Sequence, residues 1–197
     1  MLLLLFVVVV VGTIMSQDGE RMTEEELKKI IKTGDHNGVK FYDIAPLVGD
    51  PKALRDSCAA VADWAKTLSP APTHVVGLES RGFIFGPIIA LALNVGFVMV
   101  RKKGKLPPPV VSYNYKKEYG EDTIELNEGS IPKDASVLVV DDILATGGSA
   151  IAGAKLVEQA GGKVAGMGFL IDLNSLGGMD KIQKECSYKS FATVTYQ

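Results

Sequence analysis

The sequence predicts an α/β fold, a doubly wound and mostly parallel sheet flanked by helices. Strand-length apolar runs alternate along the chain with segments whose apolar positions recur at helical spacing, the pattern of βαβ units. The run from Val137 to Val140 is apolar and β-branched throughout, as is typical of a parallel strand buried on both faces. With 197 residues, 47% of them hydrophobic, the chain is long enough to bury a substantial core as one domain.

Local signals place the individual elements. Thr23 and Glu26 have the spacing of a capping box, and Asp50 followed by Pro51 has the residue types of a helix N-cap and first position. The predicted elements are a helix over 23–31, a helix over 50–68 with one apolar face toward the sheet, a strand over 74–78, a helix over 83–93, a strand over 96–100, a strand over 137–140, a helix over 149–157 and a strand over 163–170. Between Arg101 and Thr123 the periodicity fails, which predicts a mobile functional loop that acts as a lid.

The N-terminus departs from the rest of the chain. Leu2 to Val11 is an uninterrupted apolar run that is shorter than the ~20 residues of a membrane span and has no basic flank. We expect residues 1–14 to be an extension upstream of a working start at Met15 or Met22, followed by a single domain over residues 15–197. A signal peptide, and hence secretion, is the alternative.

Composition excludes several classes of protein. The formal net charge of −2 gives no general attraction to nucleic acid, so no nucleic-acid partner and no stable membrane association are expected. Cys58 and Cys186 are too few for a disulfide framework, and both are expected to be free thiols in a reducing compartment, with Cys58 packed in the core. His36 and His74 are too few for a metal cluster.

The residues from Val137 to Ala150 combine two ligand-binding features between a strand and a helix. A loop of small residues opens the helix, where several backbone N–H groups and the helix N-terminus favour a phosphate. Its members are Ala145, Thr146, Gly147, Gly148 and Ser149. Asp141 and Asp142 precede the loop, and carboxylates at that place suit the vicinal hydroxyls of a ribose or a hydrated Mg²⁺. The segment therefore predicts a phosphoribose site.

Other interpretations of the same residues stay open at this point. Asp-Asp before Thr-Gly-Gly also occurs as a plain helix cap and turn. The tight turn Glu79-Ser80-Arg81-Gly82 before a helix fits a pyrophosphate, because it offers backbone N–H groups and a guanidinium fork, but it also fits an ordinary helix entry. The chain has no G-x-x-x-x-G-K-[ST] pattern and no G-x-G-x-x-G after a strand, which argues against a nucleoside triphosphatase or a dinucleotide enzyme.

The loop segment resembles the phosphoribosyl pyrophosphate motif of the type I phosphoribosyltransferases. Four further stretches, in order and at similar spacing, resemble the adenine phosphoribosyltransferases of that family. They are F-Y-D-I-A-P-L at 41–47, G-L-E-S-R-G-F at 77–83, R-K-K-G-K-L-P at 101–107 and E-Y-G at 118–120. The resemblance covers the chain from about Val39 onward. It implies transfer of a phosphoribosyl group to adenine, which yields AMP and pyrophosphate, by a cytoplasmic homodimer.

The resemblance also implies roles for individual residues. It assigns catalysis to Glu118, Arg81 and Tyr119, with Glu118 as the general acid/base, and phosphoribose binding to Asp141, Asp142, Ala145, Thr146, Gly147, Gly148 and Ser149. Pyrophosphate would contact Glu79, Ser80, Arg81, Arg101 and Lys105, and adenine would contact Lys40, Phe41, Tyr42 and Leu170. The implied cofactor is Mg²⁺ carried by the substrate, with Asp141 and Asp142 as candidates to hold it.

Ala145 bears on the choice of base. Relatives that use 6-oxopurines have an acidic residue there, so an apolar side chain favours adenine. A transferase for hypoxanthine, guanine, xanthine or orotate is the alternative within enzymes. A non-catalytic sensor of phosphoribosyl pyrophosphate is the alternative outside them.

Overall fold

The computed structural model describes residues 20–36, 39–116 and 120–197. The chain divides into two compact units, one that ends at Asp56 and one that comprises Ser57–Gln197. The expected extension over residues 1–14 lies outside the described residues, so the domain boundary at residue 15 stays a prediction.

The unit that ends at Asp56 is built from short elements. They are helix α1 (Glu24–Ile30), the antiparallel strands β1 (Lys32–His36) and β2 (Val39–Asp43), helix α2 (Ala45–Gly49) and the start of helix α3 (Pro51–Lys66). The capping box is present, since Glu26 accepts the backbone N–H of Thr23 at 2.8 Å and the Thr23 hydroxyl accepts the backbone N–H of Glu26. The Asp50 carboxylate caps α3 by accepting the N–H groups of Lys52 and Ala53, both at 2.9 Å. Both predicted helix starts are confirmed.

The unit Ser57–Gln197 is organised around a seven-stranded sheet with the order β5-β6-β4-β3-β7-β8-β9. Its elements after α3 are β3 (His74–Leu78), α4 (Gly82–Leu93), β4 (Gly96–Lys102), β5 (Val110–Lys116), β6 (Glu121–Asn127), β7 (Ser136–Leu144), α5 (Gly148–Gln159), β8 (Lys163–Leu173), a 3₁₀ turn (Asn174–Leu176), α6 (Gly178–Cys186) and β9 (Ser190–Tyr196). Strands β4, β3, β7, β8 and β9 pair in parallel. The predicted fold class is confirmed.

The middle of the sheet is the core of this unit. Val137 to Val140 are fully buried, as predicted for a central parallel strand. On one face Gly166 and Gly168 of β8 leave room for Val61 and Trp64 of α3, which confirms that the apolar stripe of this helix faces the sheet. Cys58 is buried and free and Cys186 is also free, as expected.

The segment between Arg101 and Thr123 corrects the sequence-based prediction. It is not an irregular loop, because β4 continues to Lys102 and an antiparallel hairpin of β5 and β6 follows. In β5 the side chains of Val111, Tyr113 and Tyr115 are half-buried and alternate with exposed polar ones, so the period is that of a strand. The hairpin extends the sheet through two antiparallel residue pairs between β6 and β4.

Within the described ranges, no helix has both the length and the apolar character needed to cross a membrane.

Candidate active site

The predicted phosphate loop connects β7 to α5. Gly147 has φ +79°, a left-handed conformation that glycine adopts without strain, and it is followed at once by the first residue of α5. This geometry directs the helix N-terminus toward a cavity of about 110 Å³. Of the predicted phosphoribose residues, the cavity is lined by Asp141, Ala145, Thr146, Gly147, Gly148 and Ser149.

The two acidic residues are part of β7 rather than of the loop, because the strand extends to Leu144. Asp142 is 3% exposed, and Oδ1 of Asp141 accepts the backbone N–H of Asp142 at 2.9 Å. Burial raises the pKa of Asp141 well above its ordinary value, and the charge of Asp142 raises it further. Burial also raises the pKa of Asp142, although the nearby Arg81 cation opposes the shift.

Arg81 lies beside the acidic pair. Its Nε is 2.9 Å from Oδ2 of Asp142, which forms an ion pair. The approach is not aligned as a hydrogen bond, and Oδ2 has no hydrogen-bond partner within the residues that the structure covers. Gly82 brings the turn this close, since a Cβ at this residue would lie 2.9 Å from the carbonyl oxygen of Val140 and 3.3 Å from Asp141 Oδ1.

The predicted pyrophosphate residues Glu79, Arg101 and Lys105 form one ionic cluster. The Glu79 carboxylate pairs with Nε of Arg101 at 3.3 Å and with Nζ of Lys105. It also accepts the backbone N–H of Lys102 at 3.0 Å. Burial acts to raise the pKa of Glu79, but hydrogen bonds from Lys105, the Lys102 N–H and Arg101 outweigh it and lower the pKa below its ordinary value.

The register of the sheet explains this cluster. Leu78 of β3 pairs with Val100 of β4 in parallel, so Glu79 and Arg101, the next residues on the two strands, are neighbours at the carboxyl edge. The Glu79 N–H donates to the carbonyl oxygen of Val100 at 2.9 Å, which continues the pairing past the end of β3.

A second cavity, of about 160 Å³, adjoins the phosphate loop. It is lined by Leu78, Glu79, Val100, Lys102, Tyr115, Ile124, Asp141 and Ser149. It shares Asp141 and Ser149 with the cavity of the phosphate loop. Glu79 of the ionic cluster thus lines the same cavity as the predicted phosphoribose residues Asp141 and Ser149, at the carboxyl edge of the sheet.

The other predicted residues include the catalytic pair Glu118 and Tyr119 and the four adenine contacts. Glu118 and Tyr119 are outside the described residues. In the unit that ends at Asp56, Phe41 is 50% exposed, Tyr42 is buried and Nζ of Lys40 is 5.3 Å from the centre of the Tyr42 ring. In the other unit, Leu170 is buried in β8.

The structure adds three residues that the sequence interpretation missed. Tyr115 lines the second cavity, with its hydroxyl 3.5 Å from Ser149 Oγ. The backbone of Gly178, the first residue of α6, supports the phosphate loop, as its carbonyl oxygen would lie 3.2 Å from a Cβ on Gly147. Asp172 is buried in β8, and burial raises its pKa, with the charge of Asp180 adding to the shift. The alternation of apolar and polar residues in β5 is the sequence signal that could have indicated Tyr115.

The fold and this site define a phosphoribosyl transferase. The family model described as "Phosphoribosyl transferase domain" matches residues 52–195. An adenine phosphoribosyltransferase of Clostridium perfringens strain 13 is 46% identical over 175 residues, which are 89% of this chain and 99% of the relative. One from Haemophilus ducreyi is 48% identical over 159 residues, 81% of this chain and 87% of the relative.

Solved structures agree. The adenine phosphoribosyltransferase of Thermoanaerobacter pseudethanolicus has a TM-score of 0.82 at 38% identity and covers 88% of this chain and 100% of its own. The adenine phosphoribosyltransferase of Saccharomyces cerevisiae, solved with an imino-altritol bisphosphate and adenine, has a TM-score of 0.79 at 38% identity. The match covers 87% of this chain and 98% of the yeast chain. The chain belongs to the adenine phosphoribosyltransferase family.

Proposed function

We propose that this protein transfers the phosphoribosyl group of 5-phosphoribosyl 1-pyrophosphate to adenine and releases AMP and pyrophosphate. The observation that carries the proposal is the cavity of the phosphate loop, in which a helix N-terminus and the Asp141 carboxylate face one ligand space. The 5′-phosphate would accept hydrogen bonds from the loop residues Thr146 to Ser149. Asp141 and Asp142 would accept hydrogen bonds from the ribose hydroxyls.

The leaving pyrophosphate would bind beside the loop. Arg101 and Lys105 supply positive charge there, and Ser80 and Arg81 belong to the adjoining turn. Glu79 cannot bind an anion directly through its carboxylate, so its part in the site is indirect. Arg81 would hold Asp142 toward the ribose through their ion pair.

The acidic pair fits a bound cation that is shared with the substrate. The buried Oδ2 of Asp142 lacks a hydrogen-bond partner in the described part of the chain, and a cation would relieve the raised pKa values of both carboxyls. The described residues contain no group of three or more metal-ligating side chains, so most ligands would come from substrate and water. Mg²⁺ would neutralise charge that develops on the leaving pyrophosphate.

The chemistry is displacement at an anomeric carbon with oxocarbenium character, which requires the exclusion of water. Glu118 as general acid/base and Tyr119 as cover for the sugar belong to this proposal through the family resemblance. They follow β5 in the sequence, and Tyr115 at the end of that strand lines the cavity next to the phosphate loop. The placement of the hairpin supports its role in covering the site.

The proposed base is adenine. The family relatives are named for it, and Ala145 has no charge with which to bind N7–H of a 6-oxopurine. Lys40, Phe41, Tyr42 and Leu170 are proposed as base contacts. Half-exposed Phe41 has an aromatic face available for stacking.

We further propose a cytoplasmic homodimer, because the donor is an intracellular metabolite and the family resemblance implies a dimer. Three of the large apolar side chains exposed in the described regions, Ile84, Leu91 and Met99, lie on α4 and β4, and Leu91 is 73% exposed. Sedimentation that shows only a 21.0 kDa species would exclude the dimer.

The deciding experiment supplies phosphoribosyl pyrophosphate and Mg²⁺ with adenine, hypoxanthine, guanine, xanthine or orotate, and measures nucleotide and pyrophosphate together. We expect AMP from adenine alone. Nucleotide from another base would replace the base assignment and leave the reaction class intact. Tight donor binding without any product would identify a sensor.

A further inference from the structure

The Glu79 carboxylate is paired with the cations that are proposed to bind the leaving pyrophosphate. It contacts both cations proposed for the leaving group, Arg101 at 3.3 Å and Lys105 through Nζ, and its side chain is only 8% exposed. Arg101 and Lys105 are proposed to bind a second anion, the pyrophosphate. When it binds, Glu79 has to lose its contact with at least one of these two cations.

Backbone hydrogen bonds hold the turn that carries the cations, and Nη1 of Arg101 adds a side-chain bond to the Lys105 carbonyl oxygen at 3.3 Å. Consecutive N–H groups donate to three different acceptors, Lys102 to Glu79 at 3.0 Å, Lys103 to the Thr123 carbonyl at 3.0 Å and Gly104 to Glu125 at 2.9 Å. Glu125 is buried and also accepts the Ser112 hydroxyl at 3.3 Å. The two long cationic side chains can therefore turn to a ligand at the cost of the Arg101 Nη1 bond, while the N–H bonds of Lys103 and Gly104 keep the turn between them in place.

The exchange would occur on the substrate side of the site. Glu79 and Lys102 line the cavity that shares Asp141 and Ser149 with the phosphate loop. Under the proposed function, a ribose held at Asp141 would lie in this shared region, and the diphosphate on its C1 would come close to Glu79.

We propose that Glu79 is a resident counter-anion for Arg101 and Lys105. The diphosphate displaces the Glu79 carboxylate from these cations on binding, and Glu79 pairs with them again as pyrophosphate leaves. The proposal rests on the proposed function and assigns Glu79 the task of weakening pyrophosphate binding. Glu79 competes for the cations throughout the neutral range, because its lowered pKa keeps it ionised there.

The isosteric change Glu79→Gln tests the sign of this effect. Glutamine still accepts the Lys102 N–H but no longer holds two cations or repels phosphate. Calorimetric titration with pyrophosphate in magnesium buffer should show binding that is about 3- to 100-fold tighter, from the loss of one like charge at a few ångströms. The affinity should also fall more steeply with salt than in the wild type, and pyrophosphate should become a stronger product inhibitor.

Two controls separate charge from packing. Glu128→Gln removes an equal charge at an exposed turn and should leave pyrophosphate affinity within about twofold. Glu79→Asp has a shorter side chain but keeps the charge. Because the charge is kept, its pyrophosphate affinity should stay close to that of the wild type. Tighter binding in Glu79→Asp but not in Glu79→Gln would assign the effect to packing and overturn the proposal.

The outcomes also distinguish this proposal from the proposed function. AMP synthesis by the wild type tests the function, whereas the ratio of pyrophosphate affinities tests Glu79. Equal or weaker pyrophosphate binding by Glu79→Gln overturns the counter-anion even if the wild type makes AMP. If that variant does not fold, pyrophosphate must instead move the Arg101 Nε–H resonance of the wild type, and an unmoved resonance at saturation overturns the proposal.

Discussion

At the residue scale, the Asp141 carboxyl of the candidate site lowers the stability of the folded protein. Its carboxyl is buried beside a second carboxyl, and its pKa is raised well above the ordinary value. A carboxyl whose folded pKa is raised favours the folded state at low pH and loses that contribution as pH rises through the folded pKa. The acidic pair therefore costs the protein stability as the pH rises.

We predict that Asp141→Asn raises the melting temperature at pH 7 and lowers donor affinity about 10- to 100-fold, the loss of a charged hydrogen-bond acceptor. Asparagine still accepts the Asp142 N–H through Oδ1, so local geometry is retained. Calorimetry from pH 7 downward should show the gain shrinking as the pH approaches the ordinary pKa of an aspartate, where the carboxyl is protonated in the unfolded chain as well. A variant that melts below the wild type at pH 7 would contradict the predicted direction.

Ala145 is the residue at which base selectivity can be tested. It lines the cavity of the phosphate loop, and an aspartate there would face the N7 lone pair of adenine. We predict that Ala145→Asp lowers kcat/KM for adenine by about 10- to 100-fold, because the carboxylate and N7 are both hydrogen-bond acceptors, so they repel each other and neither is paired. Ala145→Asn has the same size without the charge and should lose less. Undiminished adenine use would mean that this residue does not select the base.

At the element scale, the sequence carried enough information for four of the five parallel strands, β3, β4, β7 and β8, and for helices α4 and α5. Strands β3, β7 and most of β8 are buried on both faces and are apolar nearly throughout. Strand β4 alternates instead, with Val98 and Val100 buried and Met99 exposed. The pairing of Glu79 with Arg101 also follows once β3 and β4 are neighbours, since the two residues come directly after the paired residues Leu78 and Val100. The order of strands was the missing step, because it depends on tertiary contacts.

The β5–β6 hairpin shows the opposite case. Its alternating Val, Tyr, Ser and Asn residues indicate a strand, but the length of the charged segment before it favoured an irregular loop. The hairpin joins the sheet through only two residue pairs between β6 and β4. The sequence of β4 therefore gives little indication that another strand pairs with it. No element was predicted over helix α6 or strand β9.

Helix α6 supports the phosphate loop through Gly178. A Cβ at this residue would contact the Ala145 carbonyl oxygen and would lie 2.7 Å from Leu144 Cγ. We predict that Gly178→Ala destabilises the protein by about 1–3 kcal/mol and weakens donor binding, because the loop has to move. Gly49→Ala, where a Cβ meets nothing within 4 Å, is the matched control for thermal unfolding and donor titration. Equal behaviour of the two variants would show that α6 does not position the loop.

At the scale of the whole molecule, ligand binding and stability are linked. The site draws residues from β3, β4, β7 and the start of α5, so a ligand that bridges them favours the folded state of the central sheet. Saturation with AMP at about 100 times its Kd should add about 2.7 kcal/mol, and a chain of this size should melt about 5–10 °C higher.

The shift should depend on the phosphoribose residues rather than on the base alone. Adenosine, which lacks the 5′-phosphate, should give a clearly smaller shift at equal concentration, since it leaves the phosphate loop empty. Asp141→Asn should lose most of the AMP shift, whereas Glu128→Gln at an exposed turn should keep it. An equal shift with adenosine and AMP would mean that the loop between β7 and α5 contributes no binding energy. The phosphoribose site would then have to be assigned to other residues of the chain.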